Sequence, residues 1–243
     1  MHLPIPLILS AIFCAAFLKG LTGMGFSTIC LGILASFIDI KVAILMVLLP
    51  SMLSNAMVIA DSGRFRDAIT KYWHLYACTL PGMAFGLWTL GSVDSVWART
   101  VLGVVVGLYG VWALWSGPLL LPERLRRPLA VPVGLVTGFV NGLTGSQIMP
   151  ILPYLLALPI SKELLIAIIN TSFTLSSVLM FFGLGKLGLL TLHGVLVSAL
   201  GVPLVFLGIR FGGALRSRAS EELFRKMVLF LLIGIGLNLV FNH

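Results

Sequence analysis

The sequence predicts an all-α integral membrane protein of two inverted repeats, each a broken or re-entrant helical hairpin followed by three transmembrane helices. Three observations carry this. Hydrophobic residues make up 59% of the 243-residue chain and charged residues 10%, against roughly 25% charged in a soluble domain. A glycine-rich stretch, Lys19-Gly20-Leu21-Thr22-Gly23-Met24-Gly25, returns as Asn141-Gly142-Leu143-Thr144-Gly145-Ser146-Gln147, 122 positions later. The basic loop residues sort to one side of a membrane only when both stretches are re-entrant.

In order, residues 4–37 form an apolar block broken at 19–25. Apolar spans are expected at 42–60, 72–92 and 98–116, with a charged loop at 61–67. Glu123-Arg124-Leu125-Arg126-Arg127-Pro128 marks the middle of the chain, where charge and proline interrupt the apolar pattern. We divide the chain into a first repeat (1–118), a cytoplasmic linker (119–130) and a second repeat (131–243). The second repeat opens with a block at 131–158, broken at 141–147, followed by spans near 164–184, 188–212 and 227–241.

An offset of 122 aligns Phe17 with Phe139, Ser54 with Ser176, Gly63 with Gly185, Pro81 with Pro203 and Gly86 with Gly208. After a four-residue insertion, Arg99 aligns with Arg225 and Gly110 with Gly236. A proline and a Gly-Leu-Thr-Gly shared in one register point to a duplicated unit.

Length and charge decide how the broken blocks cross. Residues 4–37 would make a helix of about 51 Å, too long for a hydrocarbon core of about 30 Å. Two arms, 4–18 and 26–37, of roughly 18–22 Å each suit a hairpin that leaves by the face it entered. With Lys19 and Arg210 set aside as lying inside apolar segments, simple spans would place seven basic residues on each side. Re-entrant blocks place eleven on one side (Arg64, Arg66, Lys71, Arg124, Arg126, Arg127, Lys162, Arg216, Arg218, Arg225 and Lys226) and leave Lys41, Arg99 and Lys186 on the other. That asymmetry is a positive-inside signal, with both termini outside the cytoplasm. Three full crossings per half is an odd number, so the halves are inverted.

Backbone breaks inside a membrane are tolerated only where protein or a cavity satisfies them. Matched breaks in two halves are a pointer to a transporter's binding site. Each expected tip lies at the start of a returning helix, whose free N–H groups and dipole suit an anion. The expected substrate-binding residues are Lys19, Gly20, Thr22, Gly23 and Gly25 from the first tip. Asn141, Gly142, Thr144, Gly145, Ser146 and Gln147 come from the second. Thr22, Thr144, Ser146 and Gln147 would add neutral donors. The competing reading of the glycines and hydroxyls is close helix packing. Lys19 is the one charged residue inside a tip. Burying it costs at least about 2.5–3.5 kcal/mol, which a bound anion would offset; its alternatives are to snorkel or to pair with Asp61. Ser51 and Asn55, and Asn170, Thr174 and Ser177, share helix faces and are read as pathway-lining or as helix glue. His74, His193 and the five tryptophans read as interfacial.

Other classes fit poorly. The net charge of +8 comes with no basic stripe interleaved with aromatics, so no nucleic-acid partner is expected. There is no nucleophile–base pair, phosphate-binding loop or metal-ligand spacing, and Cys14, Cys30 and Cys78 read as packing residues. Neither an enzyme nor a cofactor is expected, and the intramembrane carboxylate of a cation carrier is missing.

At these residues the chain resembles the sulfite exporter TauE/SafE family, also called the toluene sulfonate uptake permeases. The resemblance rests on Gly142-Leu143-Thr144-Gly145 with Pro150, on Asn170-Thr171-Ser172 opening the next span, and on the basic turn Gly63-Arg64-Phe65. The family's glycine run is interrupted here by Thr22, Met24, Thr144, Ser146 and Gln147. The resemblance implies a secondary transporter of a small sulfur-containing anion (sulfite, thiosulfate or an organosulfonate) in a bacterial inner membrane. An anion channel using the same two tips as a filter is the alternative. A coupling ion, proton or sodium, and a homodimer are left open.

Overall fold

The computed structural model describes residues 4–22, 25–117, 120–216 and 221–242. Among them the chain forms ten α-helices: α1 (Ile5–Thr22), α2 (Phe26–Ala35), α3 (Ile40–Ser62), α4 (Phe65–Ser92) and α5 (Ser95–Trp115) in one half. The other half holds α6 (Glu123–Thr144), α7 (Ile151–Leu156), α8 (Lys162–Lys186), α9 (Leu192–Arg216) and α10 (Glu221–Phe241). Helix ends agree between the halves. α1 and α6 both stop at the Gly-Leu-Thr of the repeated stretch. α3 and α8 begin one residue after caps 122 positions apart, where Asp39 accepts from Lys41 N and Ser161 from Leu164 N.

Five helices, α1, α3, α5, α8 and α9, are long and apolar enough to cross a membrane. α4 is the longest at 28 residues, but Thr79, Pro81, Gly82, Gly86 and Thr89 dilute its apolar stretch. α2 and the stretch Lys226–Phe241 of α10 are shorter apolar helices.

The two broken blocks differ from expectation in their arms. α1 runs on to Thr22, about 27 Å at 1.5 Å per residue, so it is not a half-length arm. α7, the returning arm of the second block, is only six residues long. α6 begins at Glu123, inside the expected linker, with an acid in its first turn where the helix dipole favours one. The second block is a hairpin with its ends together: Leu121 N donates to Ala157 O at 2.8 Å, and Tyr154 Oη donates to Arg126 O at 2.7 Å.

Without a hydrophobic drive between helices in lipid, close approach of backbones holds the bundle together. α4 packs along α6, α1 along α9, and α5 along α10, while α3 and α8 meet at the centre. Glycines make three of these seams. Gly82 and Gly86 of α4 face Leu135 and Phe139 of α6, Gly208 and Gly212 of α9 face Phe13 and Phe17 of α1, and Gly103 of α5 faces Gly236 of α10. The central α3 and α8 carry a buried polar set: Ser51, Ser54 and Asn55 on one, Asn170, Thr171, Ser172 and Ser176 on the other. Trp73, Trp88, Trp97 and Trp115 are exposed on the outside, as interface anchors would be, whereas Trp112 packs beside Tyr109.

Candidate functional site

The two breaks meet. Thr28, in the first turn of α2, lies 3.0 Å from Ser146 of the second break, hydroxyl to hydroxyl. Ser27 lies 2.6 Å from Ser51 of α3 in the same way. Two cavities flank this contact, and both are lined by Ser27 and Phe173.

The larger cavity, about 230 Å³, belongs to the first break. Lys19, Thr22, Gly25, Ser27 and Thr28 line it, together with Asn55 and Asn170 from the central helices. Apolar walls come from α7 and α10, through residues such as Leu152 and Leu232. Lys19 sits in the last turn of α1 and is 3% exposed. Its Nζ donates to Asn55 Oδ1 at 2.8 Å, Ser54 Oγ at 3.0 Å and Asn170 Oδ1 at 3.2 Å. All three acceptors are neutral, and Asp61 is not among them. No carboxylate occurs among the described residues that line the cavity. Gly25 caps α2 at φ 90°, a left-handed conformation open to glycine at little cost. Its carbonyl accepts from Ile29 N at 3.0 Å, which puts the positive end of α2 at the cavity wall.

The smaller cavity, about 30 Å³, belongs to the second break and is lined by Asn141, Gly145, Gln147, Ser51, Ser176 and Ser177, with apolar neighbours such as Leu48. Gly145 closes α6 at φ 75°, its N–H donating to Asn141 O at 2.7 Å. Among the described residues, Asn141 Nδ2 reaches only Met83 Sδ, at 3.6 Å. The Gln147 amide is buried, with neither its oxygen nor its nitrogen bonded among the described residues.

Several expected site residues are also engaged elsewhere in the fold. Gly20 packs against Ile209 and Gly212 of α9, and Gly142 against Met83 and Gly86 of α4, at spacings where a Cβ would strike backbone. Neither lines a cavity. The threonine hydroxyls are committed to their own helices. Thr22 Oγ1 donates to Leu18 O at 2.8 Å and Thr144 Oγ1 to Val140 O at 2.7 Å, each a second bond to a carbonyl of its own helix four residues back. Ser146 bonds across to the first break. Thr174 donates to Asn170 O and lines neither cavity. Gly23 lies outside the described residues. Sequence reasoning passed over Ser54, Ser27, Thr28 and Ser176. The first was in view as Asn55's neighbour and the alignment partner of Ser176, but adjacency on a helix does not predict that both reach one ammonium.

A family model for the sulfite exporter TauE/SafE family matches residues 8–239. No curated protein and no solved structure matches the chain. With nearly the whole length matched, on a helical membrane framework whose repeated breaks meet beside a buried lysine, the chain belongs to the sulfite exporter TauE/SafE family.

Proposed function

We propose that this membrane transporter is a secondary carrier for a small sulfur-containing anion, namely sulfite, thiosulfate or an organosulfonate, held between the two helix breaks and released by alternating access. One observation carries the reading: Lys19, buried in the wall of the larger cavity, meets only neutral oxygens among the described residues. A buried ammonium without a counter-ion is costly, and an anion entering the cavity supplies that counter-ion. The start of α2 and the hydroxyls of Ser27 and Thr28 add donors and partial positive charge beside it.

An inverted repeat supports alternation. When the halves are exchanged, the pairing of α1 with α9 becomes that of α6 with α4, and the pairs α3–α8 and α5–α10 map onto themselves. A twofold relation between the halves would produce this pattern. The cavity runs along α8 from Asn170 to Lys162, about 12 Å of helix. If the charge count's orientation holds, Lys162 lies at the cytoplasmic side, and a cavity that reaches it suits loading from there, as an exporter needs. Export from a cell negative inside is downhill by about 2.3 kcal/mol per charge per 100 mV. A channel through the same breaks is the second reading. Counter-flow stimulation separates them, because only a carrier exchanges a bound solute across a closed gate.

The test is thermal unfolding of the purified protein with sulfite, thiosulfate, sulfoacetate and sulfate. At least one of the first three raises the midpoint saturably, as ligand linkage requires. Lys19→Ala weakens that ligand at least tenfold, about 1.4 kcal/mol. No stabilising sulfur anion, or equal affinity in Lys19→Ala, rejects the proposal.

A further inference from the structure

The three oxygens around Lys19 are oriented as well as near. Each acceptor has its own donor engaged elsewhere. The Ser54 hydroxyl donates to Ser51 O at 3.0 Å, Asn170 Nδ2 donates to Ile166 O at 2.8 Å, and Asn55 Nδ2 reaches Ser51 Oγ at 3.4 Å. Only lone pairs therefore face Nζ. An ammonium has three donors and no acceptor, and three inward-facing oxygens match it. Neutral oxygens converging in this way are also what a hard monovalent cation takes from a protein.

The equivalent place in the other half strengthens the point. The 122-residue offset carries Lys19 to Asn141, Ser54 to Ser176, Asn55 to Ser177 and Asn170 to Leu48. All four of these residues line the small cavity. Where the chain supplies no ammonium, one of the three oxygen positions is a leucine. The oxygen cage and the charge occur together.

We propose that Ser54, Asn55 and Asn170 form a monovalent-cation site filled by the chain's own ammonium, so that Lys19 stands in for a coupled alkali-metal ion. The carrier brings its counter-charge with it, and anion movement requires no sodium or potassium. This rests on the anion-transport reading, but its first test uses no anion.

Thermal unfolding of the full chain is measured at constant ionic strength in choline, sodium, potassium, ammonium and methylammonium chloride. The wild-type midpoint is the same in all five. In Lys19→Ala the emptied cage accepts a free cation, and ammonium, methylammonium or one alkali ion raises the midpoint saturably by about 2–4 °C. Lys19→Met, which refills the space with an apolar chain, shows no response. An alkali-metal response in the wild type, or a Lys19→Ala protein indifferent to every cation, overturns the proposal. Should Lys19→Ala not fold, sulfite flux through wild-type proteoliposomes decides. Flux unchanged when choline replaces sodium on both sides supports a tethered charge, and a fall of threefold or more overturns it. If no sulfur anion binds at all, the transport reading fails while the cation series still returns its answer.

Discussion

The first and second breaks share a backbone and differ in chemistry. Both helices that lead in end on a threonine bonded back to the carbonyl four residues earlier. Both carry a glycine that seats the helix against a neighbour, Gly20 on α9 and Gly142 on α4. At matched positions, however, one break holds Lys19 and the other Asn141. The first borders about 230 Å³ of space, the second about 30 Å³. The comparison teaches that the bend and its packing are common to both breaks, while two exchanges, Lys for Asn at the helix end and Asn for Leu on the central helix, set which bend is charged. Two like bends thus carry one positive site instead of two.

Moving the charge is the most severe way to break this comparison. Asn141→Lys places an ammonium in the smaller cavity, opposite Leu48 instead of an amide oxygen. An uncompensated buried charge costs about 3–5 kcal/mol, a fall of roughly 6–20 °C in the unfolding midpoint. Adding Leu48→Asn restores part of the loss, because it rebuilds the third acceptor. A single variant as stable as the wild type would mean that the cage is not what makes Lys19 tolerable.

The seams come next. Gly20→Ala and Gly142→Ala push a methyl against the backbone of α9 and α4, which a side-chain shift cannot relieve. Overpacking of this kind costs about 1–3 kcal/mol, so each lowers the midpoint by roughly 2–12 °C. Gly213→Ala, which meets no atom within 4 Å, is the control and leaves the midpoint unchanged or slightly raised. Similar losses at both positions sharpen the view that the bends are equivalent; a tolerated alanine at either separates them.

The smallest effect is the most diagnostic. Thr22→Val and Thr144→Val each remove the hydroxyl bond to the carbonyl four residues earlier, about 0.5–1.5 kcal/mol, and Thr144→Val also loses the bond that its hydroxyl accepts from Ser146 N at 3.2 Å. Anion affinity, read by the same thermal shift, changes only in Thr22→Val, because Thr22 lines the larger cavity and Thr144 lines neither. An affinity change in Thr144→Val would show that the second break also reaches the ligand.

Much of this was legible before any coordinates. The repeated Gly-Leu-Thr-Gly located both breaks, and the solitary Lys19 marked the charged tip; the same offset of 122 relates the caps at Asp39 and Ser161 that the structure shows. The arms were less legible. Hydropathy ends α1 near Lys19, because a lysine reads as polar, yet three neutral oxygens let the helix carry it inside. The glycines were assigned to ligand contact when two of them serve helix seams, since a glycine's use depends on which helix lies opposite. Ser54 and Asn170 are 116 positions apart, and nothing local says that they share an ammonium.

Composition and the recurring Gly-Leu-Thr-Gly by themselves determined that the chain is helical and membrane-embedded, and where it bends. These follow from local properties: apolar length against bilayer thickness, and glycine's freedom at a turn. Only the tertiary arrangement decided that the two bends touch, that one faces a cavity and the other is nearly filled, and that Lys19 is ringed by lone pairs rather than paired with an acid. Those depend on which side chains from distant helices converge, and convergence is a property of packing.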